Sequence, residues 1–251
     1  VERGTPWGYF CTRFETDLFW YENPGWERHR MTTASNLWLL GGTEVDFTGD
    51  GEVGIAVGQA YGREAIYWFE QPTDPRDPWE QRTIREDFEK YHDLAFGDVD
   101  GDGQQELVGL SQNDETVFYY DVPSDPRNTP WPDETLHIVD EGVMLEGIEL
   151  FDIDADGDVE IVAGPNIYHR NESGWQRETV AEGWEWTRVA VADLDDGGDL
   201  ELVLAEGDAS TLGDRPARLS WFDPPDWEEH SLRAGLFDPH TVEVADFTAN
   251  G

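Results

Sequence analysis

The segment GDVDGDGQQELVGL, residues 97–110, decides the fold. Counted from Asp98 as position 1, its loop has aspartates at positions 1, 3 and 5, a glycine at position 6 and a glutamate, Glu106, at position 9, where an apolar run begins. A sharp turn brings alternate side chains of such a loop to one side, and a calcium ion takes six to eight oxygen ligands. The segment therefore predicts two antiparallel strands whose connecting loop binds a hard divalent cation.

The same pattern recurs along the chain, in five copies altogether. The other copies read VDFTGDGEVGIAVG from residue 45, FDIDADGDVEIVAG from 151, ADLDDGGDLELVLAEG from 192 and ADFTANG from 245. The leading aspartates of successive copies are 52, 54, 41 and 53 residues apart. A period of this length is typical of a four-stranded propeller blade.

A second repeated unit lies between the loops and consists of an aromatic run, a turn that usually contains proline, a tryptophan and a short strand. TVFYYDVPSDPRNTPWPDETLHIV, from residue 116, is one copy. Together with the preceding loop it predicts a complete blade, with strands at 93–99, 106–112, 116–122 and 134–139. The first residues of the chain predict only the last two strands of a blade, and residues 241–246 predict only a first strand. No apolar period of 3.6 residues is sustained, so we expect an all-β fold.

This arrangement resembles the FG-GAP and VCBS repeat family, including its haloarchaeal VCBS-type members, over nearly the whole chain. The resemblance implies a β-propeller of four-stranded blades with acidic calcium-binding hairpin loops. About five blades are visible in the sequence, whereas members of the family often have seven. We therefore expect residues 1–251 to be a single propeller domain that is truncated at both ends. The alternative is a five-bladed ring, closed by pairing residues 241–246 with the N-terminal strands.

The acidic loops differ in how many ligands they offer to a structural Ca²⁺. The second and third copies along the chain, at 97–110 and 151–164, are complete. The first copy, from residue 45, has Thr48 at position 3 and Gly54 at position 9, and the fourth copy, from residue 192, has Gly197 at position 5. Three carboxylates this close together raise each other's pKa, and a bound cation removes that cost; the alternative is an Asp-Gly turn without an ion. The predicted ligands are Asp46, Thr48, Asp50, Asp98, Asp100, Asp102, Glu106, Asp152, Asp154, Asp156, Glu160, Asp193, Asp195 and Glu201, with Asp246, Thr248 and Asn250 in the incomplete last copy.

The charge of the chain excludes some partners and indicates a salty environment. Aspartate and glutamate number 56 against 16 lysine and arginine, which gives a formal net charge of −40, and Lys90 is the only lysine. Such a chain repels itself in dilute buffer, and molar salt screens the repulsion. We therefore expect a protein of a high-salt environment, extracellular or at the cell surface rather than cytoplasmic. It has no basic stripe for nucleic acid and no apolar run for membrane insertion.

A ligand site is predicted at the end of the blades that lies opposite the acidic loops. The first strand of a blade lines the propeller channel, and the acidic loops follow it, so the residues that enter it surround the other mouth of the channel. The alternative is structural, with histidines in solvated loops and tryptophans that pack between blades. The predicted ligand-binding residues are Tyr91, His92, Glu146, Trp186, Arg188 and His240, of which Tyr91, His92 and His240 are candidate catalytic groups.

Two functions remain open at this point. One is a calcium-stabilised binding or scaffold domain that recognises a carbohydrate or a protein surface. The other is a carbon–oxygen lyase on carbohydrate, either a polysaccharide lyase or a sugar dehydratase similar to aldos-2-ulose dehydratase, with a His or Tyr base at the channel mouth. The two differ in whether His92, His240 and a third titratable group converge. The oligomeric state is not predicted.

Overall fold

The computed structural model describes residues 18–32, 39–60 and 64–247. These residues form 18 β-strands and a 3-10 helix at Asp133–Thr135, and no helix among them is long and apolar enough to cross a membrane. The first two strands form a hairpin. Each of the four following sets of four strands forms a sheet in which strands adjacent in sequence are paired.

The strands have the following bounds. The hairpin consists of β1 (Leu18–Glu22) and β2 (Glu27–Thr32). The first four-stranded sheet consists of β3 (Leu39–Val45), β4 (Gly54–Gln59), β5 (Ile66–Glu70) and β6 (Glu80–Arg85). The second consists of β7 (Tyr91–Gly97), β8 (Glu106–Ser111), β9 (Thr116–Asp121) and β10 (Leu136–Glu141). The third consists of β11 (Ile148–Phe151), β12 (Glu160–Ala163), β13 (Asn166–Asn171) and β14 (Gly174–Thr179). The fourth consists of β15 (Thr187–Ala192), β16 (Glu201–Glu206), β17 (Ala217–Asp223) and β18 (Glu228–Leu236).

The chain divides into two compact units, which are described separately. The first unit contains the described residues up to Leu94 together with Pro123–Asp133, and it holds the hairpin and the β3–β6 sheet. The second unit contains Ala95–Val122 and the described residues from Glu134 onwards, and it holds the β11–β14 and β15–β18 sheets. The boundary runs through the β7–β10 sheet, within β7.

Burial decreases from the second strand of each sheet to the fourth. All residues of β8, β12 and β16 are buried, whereas most residues of β14 and β18 are exposed. The buried strands are rich in valine, isoleucine and leucine without alternation, as expected where both faces of a sheet are covered. The fourth strands carry charged residues, which protect a sheet edge from pairing with another chain.

Hydrophobic clusters join consecutive sheets within each unit. In the first unit one cluster contains Met31 of the hairpin and Val57, Tyr67, Phe69 and Trp79 of the β3–β6 sheet and its β5–β6 connection. In the second unit one cluster joins Val108 and Tyr119 to Ile148 and Ile161, and another joins Val162 and Ile167 to Val189 and Leu202. Each such aliphatic side chain contributes about 1.5–3 kcal/mol on burial. Face-to-face packing of successive sheets therefore stabilises both units.

The first strands of successive sheets approach closely. In the second unit, the N–H of Gly147, just before β11, donates a hydrogen bond to the carbonyl of Thr187 in β15 at 3.0 Å. In the first unit, a Cβ on Gly41 of β3 would lie 2.5 Å from the Cα of Asp93 in β7. Glycine is therefore required at residue 41, because any side chain there would collide with the neighbouring backbone.

The predicted all-β fold and the predicted sheet order are confirmed, with shifts of about two residues at some strand ends. The first strand predicted at 93–99 is β7 (Tyr91–Gly97), and the fourth predicted at 134–139 is β10 (Leu136–Glu141). The hairpin expected near the N-terminus is β1–β2. The prediction of a strand at 241–246 is wrong, because these residues have no regular structure. A strand needs a partner for its backbone, and no described strand of its unit pairs with this segment. Thr248 and Asn250, which belong to the same predicted copy, lie outside the described residues.

Candidate functional site

Each acidic loop connects the first strand of a sheet to the second, and four loops share one backbone conformation. Positions 4 and 6 have positive φ in all four, for example 74° and 88° at Gly101 and Gly103. Position 4 tolerates Ala155 and Asp196, at 58° and 61°, but position 6 is always glycine. Positive φ strains any residue with a Cβ, so the glycine of the motif has a conformational reason. The sequence pattern therefore fixes the shape of the turn even where the ligands differ.

The aspartate at position 1 holds the loop closed. Its carboxylate accepts a hydrogen bond from the N–H of position 6 in all four loops, at 2.8–3.1 Å; the pairs are Asp46 with Gly51, Asp98 with Gly103, Asp152 with Gly157 and Asp193 with Gly198. The glutamate at position 9 accepts a hydrogen bond from the N–H of position 2 in the last three loops, for example at 2.9 Å between Glu106 and Val99. These bonds orient both carboxylates inward from opposite ends of the loop.

Three loops bring a group of carboxylates together. Their members come from positions 1, 3 and 9, with one oxygen of each within 4.8 Å of the others; the groups are Asp98, Asp100 and Glu106, then Asp152, Asp154 and Glu160, then Asp193, Asp195 and Glu201. Asp102 and Asp156, the predicted ligands at position 5, are not members of these groups. Asp102 instead accepts a hydrogen bond from the N–H of Gln104 at 2.8 Å.

The three groups fit a hard divalent cation. Glu106 is only 2% exposed, and its pKa is raised to about 7. Burial is the main cause, and the negative charges of the neighbouring aspartates add to it. The pKa values of Glu160 and Glu201 are raised as well, mainly by burial. The buried Oδ1 of Asp152 has no hydrogen-bond donor among the described residues. Crowded carboxylates of this kind are costly without a positive charge, and their oxygen-only chemistry suits Ca²⁺.

The first loop differs from the other three at position 9. Gly54 replaces the glutamate there, and a Cβ on it would collide with the indole Nε1 of Trp68. Arg127 lies beside this loop, with its guanidinium 3.7 Å from Asp50 and 2.6 Å from Glu70. Asp46 and Asp50 belong to none of the potential metal-binding groups formed by the described residues. The first loop thus lacks the carboxylate at position 9 and has an indole and a guanidinium beside it.

A second cluster lies in the second unit, at the opposite end of the sheets from the acidic loops. Glu146, just before β11, is fully buried, and its Oε1 accepts a hydrogen bond from the amide Nε2 of Gln112 at 2.7 Å. The guanidinium of Arg188, in β15, donates to the carbonyl of Glu146 at 3.0 Å. The pKa of Glu146 is raised to about 8, mainly by burial and to a smaller extent by the negative charge of Asp208.

Asp208 and His240 complete this cluster. His240 Nε2 lies 2.5 Å from Asp208 Oδ1, and this hydrogen bond raises the pKa of the imidazole. Ligand atoms of Glu146, Asp208 and His240 all lie within 4.8 Å of one another. We refer to Glu146, Asp208 and His240 as the Glu146 cluster. It combines a buried carboxyl group with a carboxylate–imidazole pair that reaches solvent, an arrangement able to bind a cation or exchange protons.

The predicted ligand residues are divided between the two units. Tyr91 and His92 are buried in the first unit, where the hydroxyl of Tyr91 accepts hydrogen bonds from the N–H groups of Asp87 and Phe88 at 2.9 Å. The second unit brings Glu146, Arg188 and His240 together. The convergence of all six predicted residues on one mouth stays a prediction.

At the end of the sheets that carries the Glu146 cluster, Trp186 was predicted from the sequence and Asp208 was not. Trp186 directly precedes β15 and has a φ of 50°, and its indole donates to the sulfur of Met144 at 3.0 Å. Asp208 and Gln112 were missed by sequence reasoning, which examined only the entry to each first strand. Both follow the end of a second strand, at the same end of the sheet, and that position was the available signal.

Comparison with known proteins gives distant likenesses. No protein-family model and no curated protein matches the chain. Among solved structures, the chain is similar to a biofilm matrix protein of V. cholerae, with 15% identity and a TM-score of 0.43 over 86% of this chain. The chain spans 42% of that protein's length. It is also similar to a periplasmic gluconolactonase of Pseudomonas aeruginosa, with 13% identity and a TM-score of 0.44, over 89% of this chain and 78% of the other.

Proposed function

We propose that the chain is a β-propeller module of the FG-GAP/VCBS type, stabilised by Ca²⁺ in three acidic loops, that binds a carbohydrate or a protein surface. The observation that carries the proposal is the convergence of carboxylates from positions 1, 3 and 9 in three loops that all have positive φ at positions 4 and 6. The meander order of the sheets and the close approach of successive first strands support the propeller arrangement. The bound ion is structural in this proposal, because each loop surrounds it with protein oxygens.

Calcium content and calcium-dependent stability test the proposal directly. Protein purified with Ca²⁺ and passed over a desalting column should retain about three ions per chain by metal analysis. Removal with a chelator should lower the melting temperature, and Ca²⁺ should restore it more effectively than Mg²⁺, which demands a stricter octahedron. Protein without bound calcium, whose melting temperature is unaffected by chelation, would contradict a calcium-stabilised fold.

The environment in the proposal is extracellular or at a cell surface, in high salt. The support is the net charge of −40 with a single lysine. Calcium-saturated protein should gain stability steadily from dilute buffer to molar KCl, because the Debye length falls to about 3 Å at 1 M. Sucrose of matched osmolarity serves as the control, since it screens no charge. An equal melting temperature in dilute and molar salt would refute the high-salt assignment.

The binding partner in the proposal is recognised at the end of the sheets that carries the Glu146 cluster. This end combines buried and exposed polar groups with the aromatic side chain of Trp186, whereas the loops at the other end are occupied by their ions. Neutral and acidic polysaccharides and cell-surface proteins should be screened by calorimetry or array binding. A ligand whose binding survives both Arg188→Ala and His240→Ala would place the binding site elsewhere.

An enzyme is the second candidate, and one specific observation favours it. Glu146 is a buried carboxyl with a raised pKa beside the Asp208–His240 pair, so one group can hold a proton near neutral pH while another accepts one. Elimination from a sugar needs such an acid and base. New double bonds, detected by ultraviolet absorbance with acidic polysaccharides or ketosugars and lost in His240→Ala, would favour the lyase. Binding without turnover would favour the scaffold.

A further inference from the structure

The Glu146 cluster differs chemically from every acidic loop because it contains an imidazole. Its three groups come from separate segments: Glu146 precedes β11, Asp208 follows β16, and His240 follows β18. All three lie in the second unit, at the end of the sheets away from the loops. A cation bound here would therefore be independent of calcium in the loops.

The donor set selects a class of metal ion. Two carboxylates and one imidazole within 4.8 Å of one another offer two oxygens and one nitrogen. Calcium takes oxygen ligands, six to eight of them, whereas zinc and its neighbours accept mixed nitrogen and oxygen sets of three protein groups plus an open position. Zinc binds such nitrogen and oxygen ligands at about 2.0–2.2 Å.

The surroundings hold the cluster in place and leave room beside it. Gln112 fixes one oxygen of Glu146, as outer hydrogen bonds commonly orient metal ligands. Residue 207 is glycine, and a Cβ on it would lie 2.5 Å from the other oxygen of Glu146 and 3.6 Å from His240 Nδ1. Any larger residue would fill the space between these two groups. The side chain of His240 is 46% exposed, so one side of the cluster is open to solvent.

We propose that Glu146, Asp208 and His240 bind one divalent transition-metal ion, with Zn²⁺ preferred over Ca²⁺, and leave a coordination position open to an exogenous oxygen ligand. The ion compensates the two adjoining carboxylates, one of them fully buried, more completely than the imidazole of His240 and the nearby guanidinium of Arg188 do. An open position facing solvent makes this the point where a hydroxyl or carboxylate of a ligand would attach.

The other mixed group in the described chain is less suited to a metal. Glu22, Glu27 and His29, in the first unit, also lie close together. There the guanidinium of Arg76 already binds both oxygens of Glu22, and a metal would have to displace it. The Glu146 cluster is therefore the stronger of the two.

Cobalt and zinc titrations test the proposal on tag-free protein saturated with Ca²⁺, so that the acidic loops are filled. We expect one Co²⁺ per chain with a visible d–d absorption band, and displacement of this ion by Zn²⁺. His240→Ala should weaken Zn²⁺ binding at least about tenfold, which corresponds to about 1.4 kcal/mol. His137→Ala is the matched control, because His137 pairs with Asp121 at 2.9 Å and neither residue belongs to a potential metal-binding group of the described residues.

Two further variants make the result unambiguous. Asp154→Asn should reduce calcium binding and leave the cobalt band unchanged, so a failure of the calcium proposal and a failure of this one are distinguishable. His29→Ala should leave the band unchanged if the ion is bound at the Glu146 cluster. A calcium-saturated protein that binds no Co²⁺ or Zn²⁺, or a band that survives His240→Ala, would overturn the proposal. His240 is half-exposed, so we expect its replacement to leave the fold intact.

Discussion

The acidic loops and the Glu146 cluster are built in opposite ways. A loop takes its carboxylates from nine consecutive residues whose turn is fixed by glycine, whereas the cluster takes its groups from three segments that only the fold brings together. The loops consist of oxygen ligands and the cluster includes an imidazole. A site that is local in sequence can thus be recognised by spacing alone, and a site that is distant in sequence needs the strand arrangement first.

The largest expected effect separates metal binding from turn formation within the loops. The triple variant Asp100→Asn, Asp154→Asn and Asp195→Asn should lose most calcium-dependent stability, because it removes one anionic ligand from each group. A site at a free calcium concentration of 100 times Kd contributes about 2.7 kcal/mol. Chemical denaturation with and without calcium measures the loss. Asp50→Asn in the first loop is the control and should leave the calcium response unchanged; an equal loss there would show that turn geometry, not metal, is responsible.

The next effect concerns pH and the Glu146 cluster. The native pKa of Glu146, about 8, exceeds its value of 4.5 in an unfolded chain, so the native state binds more protons. Its contribution to stability is complete below pH 4.5 and is lost as the pH rises to about 8. His240, whose pKa is also raised, acts in the same direction. The change is on the order of a few kcal/mol.

The measurement is the free energy of unfolding from pH 5 to pH 9 in saturating Ca²⁺ and without transition metals. If calcium binds the second loop as proposed, it should keep Glu106 ionised and so remove the contribution of this residue from the profile. Glu146→Gln should flatten the profile, and Glu141→Gln, at the exposed end of β10, should not. A Glu146→Gln profile as steep as that of the parent would show that this carboxyl is ionised throughout.

The all-β fold and the loop carboxylates could be predicted from sequence because both are repeated. Spacing between copies gives the sheet period, and Asp98, Asp100 and Glu106 form a group as their positions 1, 3 and 9 suggested. The absence of a strand at 241–246 could not be predicted, because strand formation depends on a pairing partner and not on the apolar pattern of the segment itself.

The Glu146 cluster could be predicted only in part. Glu146 and His240 were recognised because they enter a predicted first strand, but Asp208 does not precede one. Its role depends on the end of β16 lying beside the segment before β11, which no spacing reveals. The burial of Glu146, and hence its raised pKa, is likewise a property of the packed sheets.

A smaller effect tests why the first loop differs from the other three. Gly54→Ala should destabilise the protein by about 1–3 kcal/mol, because its Cβ would collide with Trp68 in a packed region. Gly25→Ala is the control, since a Cβ there meets nothing within 4 Å and the backbone is not left-handed. Thermal unfolding of both variants suffices. If Gly54→Ala is as stable as Gly25→Ala, the indole does not exclude a side chain from position 9.

The smallest effect distinguishes position 3 from position 5 within one loop. The sequence motif assigns Asp102 and Asp100 equally to the ion, whereas the structure groups only Asp100 with Asp98 and Glu106. Asp102 instead accepts hydrogen bonds from the backbone and the side chain of Gln104, at 2.8 and 3.0 Å, and it is exposed. An asparagine at residue 102 can still accept the backbone bond, so Asp102→Asn should change calcium affinity by less than about threefold, under 0.7 kcal/mol.

Asp100→Asn removes a charge from the group itself and should weaken the same site by about tenfold or more. Both affinities are best measured with loops three and four weakened by Asp154→Asn and Asp195→Asn, so that the second loop is the tightest site in calorimetry. If the two variants weaken binding equally, Asp102 turns inward when the ion binds, and the loop then supplies four carboxylates as its sequence predicts. If only Asp100→Asn matters, the group seen in the structure is already the ligand set, and the aspartate at position 5 serves to close the turn.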